Sequence, residues 1–185
     1  MSTSSTSACG AALISHTRAL TAAHCWISSS SFTVVLGSTR LFYGGVRIET
    51  NNVIMHEHYN LNNRLENDIA IIIIPWVGFN AINLYTGSNS LTANQYLKHL
   101  TIRVISNEQC RATFGSVILN STICTSSGPN RDSICSSDSG GPLSIGTGSN
   151  GILIGIVSFG GSCEGGFPAG YARVSYYAQW IRARM

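Results

Sequence analysis

Charge is scarce in this chain, and so are the features that mark several whole classes of protein. Charged residues are only 10% of its 185 residues, which excludes a disordered polyelectrolyte. The formal net charge of +3 is small and scattered. It describes an ordinary solvated surface rather than a nucleic-acid patch. Long apolar runs are missing: the longest, Ile69 to Trp76, contains Pro75 and is far too short to span a bilayer. A buried strand suits it better. No two cysteines stand at close metal-binding spacing. Met1 is followed by a Ser/Thr run, Ser2 to Ser7, with neither the basic start nor the apolar stretch of a secretory signal. No long linker, low-complexity tract or short-period repeat divides the sequence. A chain of this length, 44% hydrophobic, is read as one domain with a sizeable core.

What is present points to short strands and tight turns. Nineteen glycines and many Ser, Thr and Asn residues suit turns between strands. Strands are expected at Phe32–Leu36, Val46–Ile54, Ile152–Phe159 and Gly170–Val174. Leu100, Ile102 and Val104 alternate with polar Thr101 and Arg103, the period of a half-buried strand. One helix is expected after Ser106, with Gln109 completing a capping box and Gly115 as the stop. A second is C-terminal, with Tyr177, Trp180 and Ile181 on one face, Ser175 as cap and Arg182 and Arg184 at the negative end of its dipole. The reading is all-β, barrel-like, with a short C-terminal helix. Six cysteines suggest three disulfides made in an oxidising compartment. Spacing alone leaves fifteen pairings open.

Three segments carry chemistry. In Asp138-Ser139-Gly140-Gly141-Pro142, glycines flank a serine, so a sharp turn can expose its hydroxyl with its N–H facing the same way. A plain Ser-Gly-Gly turn reads the same at this point. A serine nucleophile needs a base, usually histidine. His16, His56, His58 and His99 have no special local setting and read as solvated surface residues. His24 lies in Thr21-Ala22-Ala23-His24-Cys25, where small residues permit tight packing. The base in turn needs a buried carboxylate to hold its tautomer. Asp68, in Asn67-Asp68-Ile69-Ala70 at the head of the most apolar strand, fits that need. A surface carboxylate in a turn is the alternative.

In their chain order, the segments around His24, Asp68 and Ser139 resemble those of the chymotrypsin family of serine proteases. The roles of nucleophile, base and orienting carboxylate follow the scheme worked out on that family. The resemblance runs from about Cys9 to Met185. Phe32-Thr33-Val34-Val35-Leu36-Gly37 and the Trp180-Ile181 ending are most similar to insect digestive chymotrypsins. It implies a serine endopeptidase with His24, Asp68 and Ser139 catalytic. It implies two six-stranded antiparallel Greek-key barrels, each missing its first strand, with a short C-terminal helix. Residues 9–84 would form the first barrel, 96–174 the second, and 175–185 the helix, all in one peptidase domain.

The same resemblance pairs Cys9 with Cys25, Cys110 with Cys124, and Cys135 with Cys163. It places the oxyanion hole at the Ser137 and Ser139 amides, although Ser137 stands where the family has glycine, so strain or a misaimed donor is expected. Ser158, Phe159 and Gly160 resemble the strand that pairs with substrate, and Ser158 would support Asp68. Ser133, Gly160 and Ala169 match the specificity pocket. A serine floor gives no partner to Lys or Arg, so bulky apolar residues are favoured before the scissile bond. Asp132 is one residue from that floor.

Two family segments have no counterpart. There is no Ile-Val-Gly-Gly-like start whose amino group would pair with Asp138, and the stretch from Leu84 to Tyr96 is polar where a strand is usual. An unpartnered buried Asp138 would cost several kcal/mol or force a zymogen-like rearrangement. From this follows the expectation that the chain as written is inactive or nearly so despite its complete triad; a binding module in protease shape or a fragment is the alternative to a working enzyme. Polypeptide substrates and proteinaceous inhibitors are the expected partners, with a monomer, no metal or organic cofactor, no nucleic acid and no membrane. The family implies an extracellular location.

Overall fold

The computed structural model describes residues 7–27, 29–60, 66–79, 99–146 and 150–185. In the first half, β1 (Ala12–Ser15), β2 (Arg18–Thr21), β5 (Val53–Met55) and β6 (Ala70–Ile73) form one antiparallel sheet in the order β1-β2-β6-β5. The strands β3 (Phe32–Leu36) and β4 (Val46–Thr50) pair separately. In the second half, β7 (Val104–Ile105), β8 (Thr122–Thr125), β9 (Pro142–Ile145), β10 (Ile152–Gly160) and β11 (Ala169–Arg173) form a sheet ordered β7-β8-β11-β10-β9. Among the described residues three short α-helices accompany them: α1 (His24–Ile27), α2 (Asn107–Phe114) and α3 (Ala178–Arg182).

Strand alternation explains how each large sheet feeds more than one core. Successive residues on a strand face opposite sides. Leu20 and Ile71 accordingly join one cluster, while Ala19 and Ile72 join another on the far face of the same sheet. In the second half Ile156 and Ala172 face the first of these clusters, and Val157 and Tyr171 face a third. The cluster shared by both halves is closed by Tyr177, Trp180 and Ile181 of the C-terminal segment. Each large apolar side chain buried there contributes about 1.5–3 kcal/mol.

The continuous apolar run at Ile69 is a central strand, as its composition requires: β6 lies between β2 and β5 with both faces covered. Ser106 caps α2 through the full capping box with Gln109. Gly115 ends it at φ +67°.

Four expectations are corrected. The strand expected over Val46–Ile54 is two strands that belong to different sheets. The Thr50 hydroxyl accepts the Asn52 amide and donates to the Ile73 carbonyl, turning the chain from β3's partner to β6's. The alternating stretch from Leu100 enters the ladder only at Val104–Ile105. The cap of α3 is Tyr177, with no side-chain bond, rather than Ser175. His56 is half-buried, stacked on Trp180 at 5.1 Å, because the C-terminal helix covers it. The polar stretch from Leu84 to Tyr96 lies outside the described residues, as does the tail before Ser7.

The three disulfides are Cys9–Cys25, Cys110–Cys124 and Cys135–Cys163. Each closes a short loop, for a typical contribution of about 2–4 kcal/mol.

Candidate active site

Sheet register brings His24 to Asp68. Thr21 at the end of β2 pairs with Ala70 at the start of β6. The chain two residues before Ala70 therefore runs beside the chain leaving Thr21. Ala22 and Ala23 are wholly buried, and their small side chains permit this approach. The Asp68 carboxylate then accepts the His24 amide at 2.9 Å and the His24 Nδ1–H at 2.8 Å. The Ser158 hydroxyl donates to the same carboxylate at 2.5 Å. Asp68 is 1% exposed, so all three donors act in a region of low dielectric, where charge-assisted bonds are strong. A carboxylate on Nδ1 fixes the tautomer: the proton sits on Nδ1, and Nε2 is left as the base.

Ser139 arrives from the other half on a docked loop. Its carbonyl accepts the Gly10 amide at 2.7 Å, and the Gly10 carbonyl accepts the Thr21 hydroxyl at 2.9 Å. Gly140 has φ +80°, and a Cβ there would overlap the Gly10 oxygen and lie 3.0 Å from the Ala22 nitrogen. The turn thus presses against the segment that leads into His24. On its other side, Gly140 donates to the Val157 carbonyl and Val157 donates to Gly141, both at 2.8 Å. Val157 immediately precedes Ser158, the donor to Asp68. His24, Asp68, Ser139 and Ser158 are thereby gathered by one set of short backbone contacts across the two halves.

Asp138 is wholly buried, and its Oδ2 accepts the Cys135 amide at 2.7 Å. The loop thus folds one of its own amides onto the carboxylate; that bond brings no counter-charge, and residues 1–6, where the expected amino group would be sought, lie outside the described residues. Beside it, burial pushes Tyr171 up to about 12, Thr125 lowering it and the charge of Asp138 raising it further. Its phenol stays neutral and shares a 3.2 Å hydrogen bond with Thr125. Ser137 is buried, and it is absent from the residues with positive φ. The serine therefore carries no left-handed backbone strain. Among the described residues, neither the Ser137 nor the Ser139 amide donates to a backbone carbonyl outside regular structure.

The expected pocket residues also lie together. Gly160 and Ala169 are direct partners across β10 and β11. Ser133 is buried; its amide donates to the Cys163 carbonyl at 2.8 Å and its hydroxyl to the Phe167 carbonyl at 3.2 Å. Asp132 instead packs its Cβ toward Gly128. Phe159 meets Phe114 edge-on at 5.3 Å and rests its ring where a Cβ on Gly170 would be. Sequence reasoning missed Ile134. Its Cγ1 and Cδ1 lie 2.8 and 2.9 Å from the place of a Gly160 Cβ, with the Ala169 methyl on the same side. Its position directly after Ser133 was the available signal.

Comparison with known proteins gives the family of the whole chain. The family described as Trypsin matches residues 1–75 and 81–181. Brachyurin from Leptuca pugilator is 32% identical over 203 residues, covering 95% of this chain and 87% of that protein. Collagenase from Hypoderma lineatum is 33% identical over 198 residues, covering 94% of this chain and 75% of that protein. A solved structure of HL collagenase superposes with a TM-score of 0.77 at 29% identity, covering 95% of this chain and 85% of its own.

Proposed function

This chain belongs to the trypsin family of serine proteases, and from that premise we propose that it is a serine endopeptidase working through Ser139, His24 and Asp68. The observation that carries the reading is the buried Asp68 carboxylate, aimed at His24 Nδ1 and steadied by Ser158. The Ser139 Oγ attacks the scissile carbonyl as its proton passes to His24 Nε2. The oxyanion is met by the Ser137 and Ser139 amides. Asp68 stabilises the imidazolium, which then gives its proton to the leaving amine. That leaves an acyl-enzyme on Ser139. Water, deprotonated by the same His24, hydrolyses the ester. Three disulfides support secretion into an oxidising space. We take the working form to be a monomer that meets polypeptide substrates and proteinaceous inhibitors.

The test is chemical labelling. The oxidised, folded chain treated with a serine-directed fluorophosphonate should be modified stoichiometrically at Ser139, and His24→Ala should prevent it. A folded sample that takes no label would refute the reading and favour a non-catalytic binding module.

Specificity follows from the pocket. Ser133 offers no charge, and Ile134 offers an apolar wall beside Gly160. Peptides with Phe, Tyr or Leu before the scissile bond should be cleaved at least about tenfold faster in kcat/KM than those with Lys or Arg. Ser133→Asp should shift preference toward basic residues only partly, because Ile134 stands in the way. The double variant Ser133→Asp, Ile134→Ser should shift it further. A wild-type preference for Arg in kcat/KM measurements would show that the floor is assigned wrongly.

A further inference from the structure

The C-terminal segment reaches the aspartate side of the site from behind. Tyr177 is buried, and its hydroxyl donates to Asn67 Oδ1 at 3.3 Å. Asn67 precedes Asp68 and has φ +55°, one of two non-glycine residues with positive φ among those described. Such a backbone is sparsely populated and persists where its surroundings hold it. Here the holding groups are visible. Asn67 Nδ2 donates to the His58 carbonyl at 3.0 Å, and the Asn67 carbonyl accepts the Ile69 amide at 2.8 Å. Asp68 is the apex of that three-residue turn.

The segment that Asn67 grips is itself clamped by the helix. Trp180 Nε1 donates to the Glu57 carboxylate at 2.7 Å. Arg184 lies 4.5 Å over the Trp180 ring and 3.3 Å from Glu57. His56 stacks on Trp180 and meets Tyr177 edge-on at 5.5 Å. Burial, with Tyr176 and Asp68 adding to it and Ser121 and Asn67 opposing it, raises Tyr177 above its ordinary value, so the hydroxyl keeps its proton and remains a donor. Residues 56–58, Asn67 and the helix are therefore joined by one set of contacts behind Asp68.

We propose that Tyr177 is a positioning residue: by holding the Asn67 side chain, it sets the turn that presents the Asp68 carboxylate to His24. The inference rests on the endopeptidase reading for its catalytic consequence, but its geometric content can be measured without turnover. An imidazole gains basicity from a well-aimed carboxylate and loses it when the carboxylate swings away.

The experiment is Tyr177→Phe, which keeps the ring against His56 and deletes only the hydroxyl. The pKa of His24, followed by NMR of its ring carbon–proton pair, should fall by about half a unit. On a peptide substrate, kcat should fall about tenfold with KM within about twofold. Asn67→Gly keeps the left-handed turn without its side chain, and should reproduce the shift by itself. Adding Tyr177→Phe to Asn67→Gly should then change nothing more. Folded Tyr177→Phe protein with His24 titrating at its wild-type value would overturn the proposal. So would an undiminished Tyr177→Phe effect in the Asn67→Gly background. If Tyr177→Phe does not fold, a wild-type His24 value in Asn67→Gly overturns it equally. A wild-type chain that takes no fluorophosphonate would count against the endopeptidase reading alone, because the His24 titration still decides this one.

Discussion

Replacing Ser139 by alanine is expected to lower peptide hydrolysis by about 10⁵–10⁶-fold in kcat, and His24→Ala by about as much. The double variant should be little worse than either one. Without the Ser139 hydroxyl there is no nucleophile for His24 to activate; without His24 the hydroxyl keeps its proton. The two groups act as one device, so the second loss removes nothing further. What survives should be the modest rate given by the oxyanion amides and substrate binding. Neither substitution should disturb the fold. Ser139 reaches its neighbours through its carbonyl, bonded to Gly10, and alanine retains that carbonyl. His24→Ala keeps the amide bond to Asp68. Steady-state kinetics on a Phe-containing peptide, with thermal melts as the folding control, checks both points. Full activity in Ser139→Ala would sink the assignment, and so would strictly multiplicative losses in the double variant.

The second large effect is structural and falls on Gly140. Gly140→Ala should destabilise the chain by about 3–5 kcal/mol. Two costs add. The residue has φ +80°, which a Cβ disfavours by about 1–2 kcal/mol. The new methyl would also overlap the Gly10 carbonyl oxygen, a backbone atom, and the Thr21 hydroxyl. That hydroxyl is itself anchored on Gly10, so neither neighbour can give way without moving the Ser139 loop off its dock. Gly115→Ala is the matched control. Its φ is +67° with ψ −144°, a backbone left largely to glycine, but nothing lies within 4 Å of a Cβ there, so only the backbone cost of about 1–3 kcal/mol should appear. Chemical denaturation separates the two. Equal losses for Gly140→Ala and Gly115→Ala would show that the docking is not tight.

Much of the site could be read from local sequence because its requirements are local. A serine between an aspartate and two glycines signals a sharp turn whatever surrounds it. Small residues before His24 signal close packing. The Ser106 and Gln109 capping box involves only neighbouring amides, and α2 begins as those residues require. Failures came where a distant partner decides. Nothing in Val46–Ile54 reveals that Thr50 will bond the Ile73 carbonyl and send β5 to another sheet. His56 looks like any loop histidine until Trp180 is placed on it. Ile134 reads as one more apolar residue until Gly160 is set opposite.

The sequence by itself therefore determined the residue types of the site, the strand and helix preferences, and, through its family likeness, the pairing of six cysteines. The strand and helix preferences depend on backbone sterics and short-range hydrogen bonds, which act within a few residues; the cysteine pairing does not, and came from the family likeness alone. Only the tertiary structure decided that Asp68 also takes the His24 backbone amide, that Asp138 turns to the Cys135 amide, and that Tyr177 reaches Asn67. Each of those contacts except the one to Cys135 joins residues far apart in the chain. Each is settled by sheet register and by the cluster shared between the two halves, where long-range packing decides which side chains meet.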